Sequence, residues 1–173
     1  MNRVTALFLF TFGTLLLEPL LLFAVPFFSF TVPELGLIAV VYCAHGIRGS
    51  LSRGAAAALG IGYLTDLFSG APVGMHALVY VLVYFLARAT FSRILGRALW
   101  LQALLGAIPS GIAGLLVISI EQWLNPVEHS WALLGRVPLQ MLVTGLFAPA
   151  YFYLLWRVDR MASYEVSAEG IFK

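Results

Sequence analysis

Six apolar stretches follow one another along the chain, separated only by short polar breaks. They cover about residues 4–28, 33–47, 54–68, 75–91, 98–120 and 133–156. A membrane crossing by an α-helix takes roughly 20 apolar residues. Only 10% of the residues are charged, against about 25% in ordinary soluble domains, so a water-soluble globular fold is excluded. We therefore predict an all-α, polytopic membrane protein with six transmembrane helices.

The distribution of charge predicts how these helices are oriented. With six spans, one side of the membrane receives nearly all the basic residues: Arg3, Arg48, Arg53, Arg88, Arg93, Arg97, Arg157, Arg160 and Lys173. The other side receives acidic residues: Glu18, Glu34, Asp66, Glu121 and Glu128. Short cytoplasmic loops collect Lys and Arg, so both termini are predicted to be cytoplasmic. The expected organisation is one transmembrane domain at 1–156 and a short cytoplasmic tail at 157–173.

Several functional classes are excluded by what these stretches lack. There is no Gly-rich phosphate loop, and the three histidines lie on separate segments without metal-ligand spacing: His45, His76 and His129. Neither Ser69 nor Ser110 has the setting of a nucleophilic serine. Cys43 is the one cysteine, and the formal net charge is only +2. The sequence therefore predicts no catalytic, cofactor-binding or metal site, and no nucleic-acid partner.

Small residues recur every four positions in the third stretch, at Gly54, Ala58 and Gly62, and the series ends at Asp66. Small side chains let membrane helices approach closely. A similar series occurs in the fifth stretch: Gly106, Ser110 and Gly114. We expect helices three and five both to have closely packed faces.

Asp66 is the most informative single residue, because an acid within a membrane helix is a functional candidate by default. It could accept hydrogen bonds from the following turn, residues 69–74, which is the role we favour, or contact a substrate directly. The next helix carries a stripe with the same four-residue spacing: His76, Tyr80, Tyr84 and Arg88. This stripe is either a buried aromatic face or a face on which His76 pairs with Asp66.

Residues 60–78 read GIGYLTDLFSGAPVGMHAL. A Gly-rich helix ends in Asp-Leu-Phe-Ser-Gly, a Pro/Gly turn follows, and His-Ala-Leu opens the next helix. This arrangement resembles the central signature of the rod shape-determining MreD family, and the early pair Pro33 and Glu34 and the short tail are similar as well. The resulting candidates for a structural role or a partner contact are Gly62, Asp66, Ser69, Gly70, Pro72, Gly74, His76 and Glu34.

The resemblance implies a non-enzymatic, multi-pass subunit of the elongasome in the bacterial inner membrane, with a role in peptidoglycan synthesis and cell shape. It also implies that the protein acts as a scaffold for MreC, which has one membrane span. The further partners implied are the synthase RodA, the elongation-specific penicillin-binding protein and, beneath the membrane, MreB. No cofactor is implied.

Two alternatives stay open. The MreD family is similar in fold to the S-components of energy-coupling-factor (ECF) transporters, so a vitamin-binding S-component is the second hypothesis. Such a protein needs a pocket at the outer face, and the candidate lining residues are Glu34, His76, Glu121, Gln122, Trp123 and Trp131. A proton-coupled carrier using Asp66 and Glu18 is a third, although no internal repeat supports it.

Overall fold

A computed structural model describes residues 3–24, 31–46, 51–91, 98–124 and 133–169. Within these ranges the chain is all-helical, with six main helices and no strand. The helices are α1 (Arg3–Ala24), α2 (Leu35–Gly46), α3 (Leu51–Ser69), α4 (Met75–Phe91), α5 (Leu99–Leu124) and α6 (Val137–Glu169). The predictions made for Arg48, Arg93, Arg97, Glu128, His129, Trp131 and Lys173 lie outside the described residues.

The centre of the bundle is α2, the shortest of the six helices. It packs against all the other five, and every residue from Leu37 to Ala44 is at most 5% exposed. A helix that is apolar on all sides is stable only when it is surrounded by other elements. The short second stretch of the sequence therefore forms an interior helix.

Two pairs of neighbouring helices have the most extensive contacts, α3 with α4 and α5 with α6. At Gly62 of α3, an added Cβ would lie 2.6 Å from Ala77 Cα, a backbone atom of α4. At Gly106 of α5, an added Cβ would collide with the Ala148 Cβ of α6. Close packing of helices three and five is thus confirmed at these glycines. At Gly114 the helices are not as close, because an added Cβ would lie 3.4 Å from Val137 Cγ2, which is an ordinary contact distance.

The last helix continues beyond the sixth apolar stretch. The sixth apolar stretch ends near Trp156, but α6 continues to Glu169, so most of the predicted polar tail is part of the same helix. Tyr42 of α2 donates a hydrogen bond of 3.3 Å to Asp159 in this continuation, and Asp159 is only 8% exposed. This bond connects the first turn of the continuation to α2.

By length and composition, two helical segments could cross a membrane, Leu99–Leu124 and Val137–Ala162. Three shorter helical segments are also apolar: Thr5–Glu18, Leu35–His45 and Met75–Thr90. Many large apolar side chains are exposed on the bundle surface, for example Leu142, Leu146 and Trp100, each at least 67% exposed. An apolar surface of this extent is typical of proteins that contact lipid.

Candidate functional site

The Asp66 carboxylate joins the end of α3 to the start of α4. Its Oδ2 accepts hydrogen bonds from the backbone N–H groups of Gly74 (2.8 Å) and Ala77 (3.3 Å). Its Oδ1 accepts from the backbone N–H of His76 (2.8 Å) and from the imidazole Nδ1 of His76 (2.9 Å). Asp66 itself is 1% exposed. The hydrogen bond from the turn to Asp66 and the pairing of His76 with Asp66, both considered from the sequence, are present in the structure.

These bonds form because the first turn of a helix has N–H groups without intrahelical partners. The Asp66 carboxylate supplies the acceptors that a local N-cap side chain would otherwise provide, and its negative charge lies at the positive end of the α4 dipole. Two glycines with positive φ, Gly70 (68°) and Gly74 (98°), reverse the chain direction between the helices. Other residues adopt such angles at a cost, which explains why both positions carry glycine.

Asp66 also fixes the orientation of the His76 ring. An ionised carboxylate only accepts hydrogen bonds, so the imidazole Nδ1 is the donor in this contact. The nearby Ser69 hydroxyl is engaged in the turn, because it donates to the Asp66 carbonyl oxygen (3.5 Å) and accepts from the Ala71 N–H (3.4 Å). The structure records no hydrogen bond between Ser69 and His76 among the described residues, so the three side chains do not form a nucleophile activated by a base.

The predicted candidates fall into two groups. Gly62, Asp66, Gly74 and His76 meet where α3 contacts α4. Ser69, Gly70 and Pro72 lie on the exposed side of the turn. Val73, which the candidate set omits, is 68% exposed at the tip of the turn, and Phe68 near the end of α3 is 43% exposed and also lines the cavity described below. One face of the turn thus holds two helices together, while the other presents apolar side chains outward.

Glu34 lies apart from this network, in a cavity of about 230 Å³ between α1, α2, α3, α4 and α6. Its Oε1 accepts a hydrogen bond of 2.9 Å from Gln140 Nε2 of α6, and its backbone N–H donates to Thr144 Oγ1 (3.3 Å). Glu18 of α1 lines the same cavity and accepts a bond of 3.3 Å from the Leu35 N–H. Glu18 of α1, together with Gln140 and Thr144 of α6, therefore holds the segment at the start of α2.

Sequence reasoning missed several residues of this region. Gln140 and Thr144 gave no signal, because a single polar residue in an apolar stretch has no recognisable spacing. Two of the residues predicted to line a pocket at the outer face, His76 and Glu34, do line the cavity. The other described residues predicted to line a pocket lie at the end of α5 and do not line this cavity. Of these, Glu121 is half-buried, Gln122 is exposed and Trp123 is 84% exposed.

The α4 stripe has the buried aromatic character predicted for it. Tyr80 and Tyr84 are at most 2% exposed. The Tyr84 hydroxyl donates to the Leu51 carbonyl oxygen (3.4 Å) and accepts from Arg88 Nη1 (3.3 Å). The aromatic face and the His76–Asp66 pair therefore coexist on one helix.

These features define a class of protein: an all-helical bundle with an apolar surface, whose central turn is held by one buried carboxylate. Within the described residues no group of three or more His, Cys, Asp or Glu side chains could hold a metal ion. The chain belongs to the MreD family, because the profile of that family, described as rod shape-determining protein MreD, matches residues 1–158 of the 173. No curated protein and no solved structure matches the chain.

The family match assigns the chain to rod-shape determination, as a structural component. The alternative of a vitamin-binding S-component receives no support from the comparisons.

Proposed function

We propose that this protein is a multi-pass inner-membrane scaffold of the rod-shape machinery that holds MreC and, with it, the elongation-specific peptidoglycan synthases. The observation that carries the proposal is the family match over residues 1–158. The proposed partners beyond MreC are RodA, the elongation-specific penicillin-binding protein and MreB. The protein itself performs no chemistry in this proposal; it positions the others.

In the proposed topology, all six helices cross the membrane and both termini are cytoplasmic. All the basic residues except Arg136 then lie on the cytoplasmic side, as the rule for short loops requires. At 1.5 Å per residue, the 17 residues of α4 extend about 26 Å, close to the roughly 30 Å of the hydrocarbon core. The 12 residues of α2 extend only about 18 Å.

The non-helical residues 31–34, which precede α2, supply the rest of its crossing. Four residues can add at most about 13 Å, and non-helical backbone is tolerated at membrane depth where it is buried or lines a cavity. Residues 32–34 line the cavity, and the N–H groups of Glu34 and Leu35 have side-chain partners on α6 and α1. These bonds favour a place for this segment within the membrane.

The exposed side of the α3–α4 turn is the proposed contact for a periplasmic-facing partner. In this topology the turn lies on the outer side. Val73 and Phe68 are exposed apolar residues there, and Asp66 holds the backbone beneath them in one conformation. A rigid apolar projection loses little conformational entropy on binding, which suits a permanent scaffold contact.

Co-purification from detergent tests the proposal. The tagged chain is expressed with the MreC-like partner from the same operon or strain, and the partner retained per molecule is measured. We expect a stoichiometric complex for the wild type. Val73→Glu should reduce partner retention, because it places a carboxylate on the proposed contact.

The matched control is Leu124→Glu, since Leu124 is 50% exposed at the end of α5, on the same side in the proposed topology. This variant should retain the partner fully. Both variants should melt like the wild type, because both side chains are exposed. Absence of the complex in the wild type would refute the scaffold role, and equal retention by both variants would refute the turn as its contact.

A further inference from the structure

We propose that one face of α6, around Arg157 and Arg160, binds the phosphate headgroup of an anionic phospholipid. A shallow groove on the surface of this helix is lined by Tyr153, Trp156, Arg157, Arg160 and Met161. The inference goes beyond the scaffold role and depends only on α6 crossing the membrane, for which its segment Val137–Ala162 is long and apolar enough.

The groove carries positive charge without an acidic neighbour. Arg157 and Arg160 are both exposed, and no acidic side chain from the described part of the chain lines the groove. Asp159 lies between them in the sequence, but it is only 8% exposed and accepts a hydrogen bond of 3.3 Å from Tyr42 of α2. Its carboxylate is therefore directed into the bundle, and the outward face of α6 presents two guanidinium groups, which match the geometry of phosphate oxygens.

Two aromatic rings support this cationic face. The guanidinium carbon of Arg160 lies 5.3 Å from the centroid of the Trp156 ring, within the range of a cation–π contact. The Trp156 ring in turn lies beside the Tyr153 ring, with the two centroids 6.1 Å apart, and both side chains stay about half exposed. Such amphipathic rings are enriched at the level of lipid headgroups, and a guanidinium that is already positioned loses less entropy when it binds a ligand.

An apolar track on the same face of α6 leads to the two arginines. Leu142 and Leu146 are 71% and 77% exposed, and at 3.6 residues per turn both lie within about 60° of Arg157 around the helix axis. From Leu146 to Arg157 the helix rises about 17 Å, close to half of the roughly 30 Å hydrocarbon core. An acyl chain can therefore lie along these leucines while its headgroup lies at the arginines, whereas a soluble phosphate would contact the arginines alone.

The test is native mass spectrometry of the purified full-length chain in detergent, titrated with dioleoyl phosphatidylglycerol or dioleoyl phosphatidylcholine. The two lipids have the same acyl chains, but phosphatidylcholine carries an ammonium group that two guanidinium groups repel. We expect saturable binding of phosphatidylglycerol that is roughly tenfold or more tighter than that of phosphatidylcholine. Glycerol phosphate, which has the headgroup chemistry without acyl chains, should not displace the lipid at equal concentration. These comparisons need no variant.

Arg157→Gln and Arg160→Gln should each weaken phosphatidylglycerol binding roughly fivefold, the contribution typical of one basic residue at an anionic membrane surface. The matched control is Arg53→Gln, since Arg53 of α3 is an exposed arginine that does not line the groove, and this variant should bind like the wild type. All three side chains are exposed, so the variants should also melt like the wild type.

Three outcomes would each overturn the proposal. Equal binding of the two lipids would show that charge does not select the ligand, and displacement by glycerol phosphate would show binding of a free anion only. Equal phosphatidylglycerol affinity of Arg160→Gln and Arg53→Gln would show that the groove is not the site. The variants used here leave Val73 and the α3–α4 turn unchanged, so this proposal and the scaffold contact can fail independently.

Discussion

Replacing Gly62 by alanine tests the close approach of α3 and α4. The added methyl group would lie 2.6 Å from Ala77 Cα and 2.6 Å from the His76 carbonyl oxygen, and both are backbone atoms that no side-chain rotation can move. Since nonbonded carbon atoms prefer roughly 3.5–4.0 Å, the two helices must separate by about 1 Å. The same movement would lengthen the bond of 2.8 Å between Asp66 and the His76 N–H beyond hydrogen-bonding distance.

The magnitude follows from three contributions. Overpacking a well-packed contact costs about 1–3 kcal/mol, and losing one hydrogen bond to a charged group costs about 1.5–3 kcal/mol. Alanine in place of a helical glycine returns about 0.8–1 kcal/mol. The free energy of unfolding of Gly62→Ala should therefore be about 2–5 kcal/mol lower than that of the wild type.

Thermal unfolding of the purified protein in detergent, followed by tryptophan fluorescence, measures this effect. A change of 1 kcal/mol shifts the Tm of a chain this long by roughly 2–4 °C, so Gly62→Ala should melt roughly 4–20 °C lower. The control is Gly13→Ala in α1, where an added Cβ has nothing within 4 Å, and its Tm should match or slightly exceed that of the wild type. If Gly62→Ala melts together with Gly13→Ala, the close approach does not determine stability and the reasoning is wrong.

Three further predictions use the same preparation. Asp66→Ala removes four accepted bonds and should lower folded yield and partner retention, whereas Asp66→Asn keeps one oxygen and should lose less; full yield and retention for Asp66→Ala would exclude the carboxylate as the support. Gly111→Ala should lower the Tm less than Gly106→Ala. The Cβ added at position 111 would lie 2.5 Å from the flexible side chain of Met141, whereas the Cβ added at position 106 would collide with the Ala148 Cβ, which cannot rotate away. The opposite order of Tm values would contradict this prediction. Glu18→Leu removes one of the two acceptors of the Leu35 N–H, the other being the Pro33 carbonyl oxygen, so it should cost about 0.5–1.5 kcal/mol, with Glu18→Gln closer to the wild type; equal Tm values would show that Glu18 does not support α2.

The α3–α4 network could be predicted from sequence because its parts are close together in the chain. The donors to Asp66 lie eight to eleven residues after it, and the turn glycines between them leave few ways to connect two helices. A single acid before such a turn and a histidine just after it therefore indicated both the bond to the turn and the histidine pair.

The cavity could not be predicted in the same way, because its contacts join distant segments. Glu34 and Gln140 are 106 residues apart, and Glu18 and Leu35 are separated by a stretch of apolar residues. Apolar helices can pack in many registers, and hydropathy alone does not select one. The hydrogen bond between Tyr42 of α2 and Asp159 of α6 joins residues 117 apart, and it could not be predicted for the same reason.

The bonds of Asp66 also have a consequence for how the protein is made. In the six-span arrangement, α3 emerges from the ribosome with a carboxylate whose donors follow eight to eleven residues later, or about one second at roughly 5–20 residues per second. α3 is not one of the segments apolar enough to cross alone. Asp66, three residues before the end of α3, adds an unfavourable charge, although its cost is below the about 2.5–3.5 kcal/mol of a position at the helix centre. We therefore expect the insertion machinery to release α3 into lipid only together with α4, as a preassembled hairpin, so that truncation after residue 70 would leave α3 outside the bilayer.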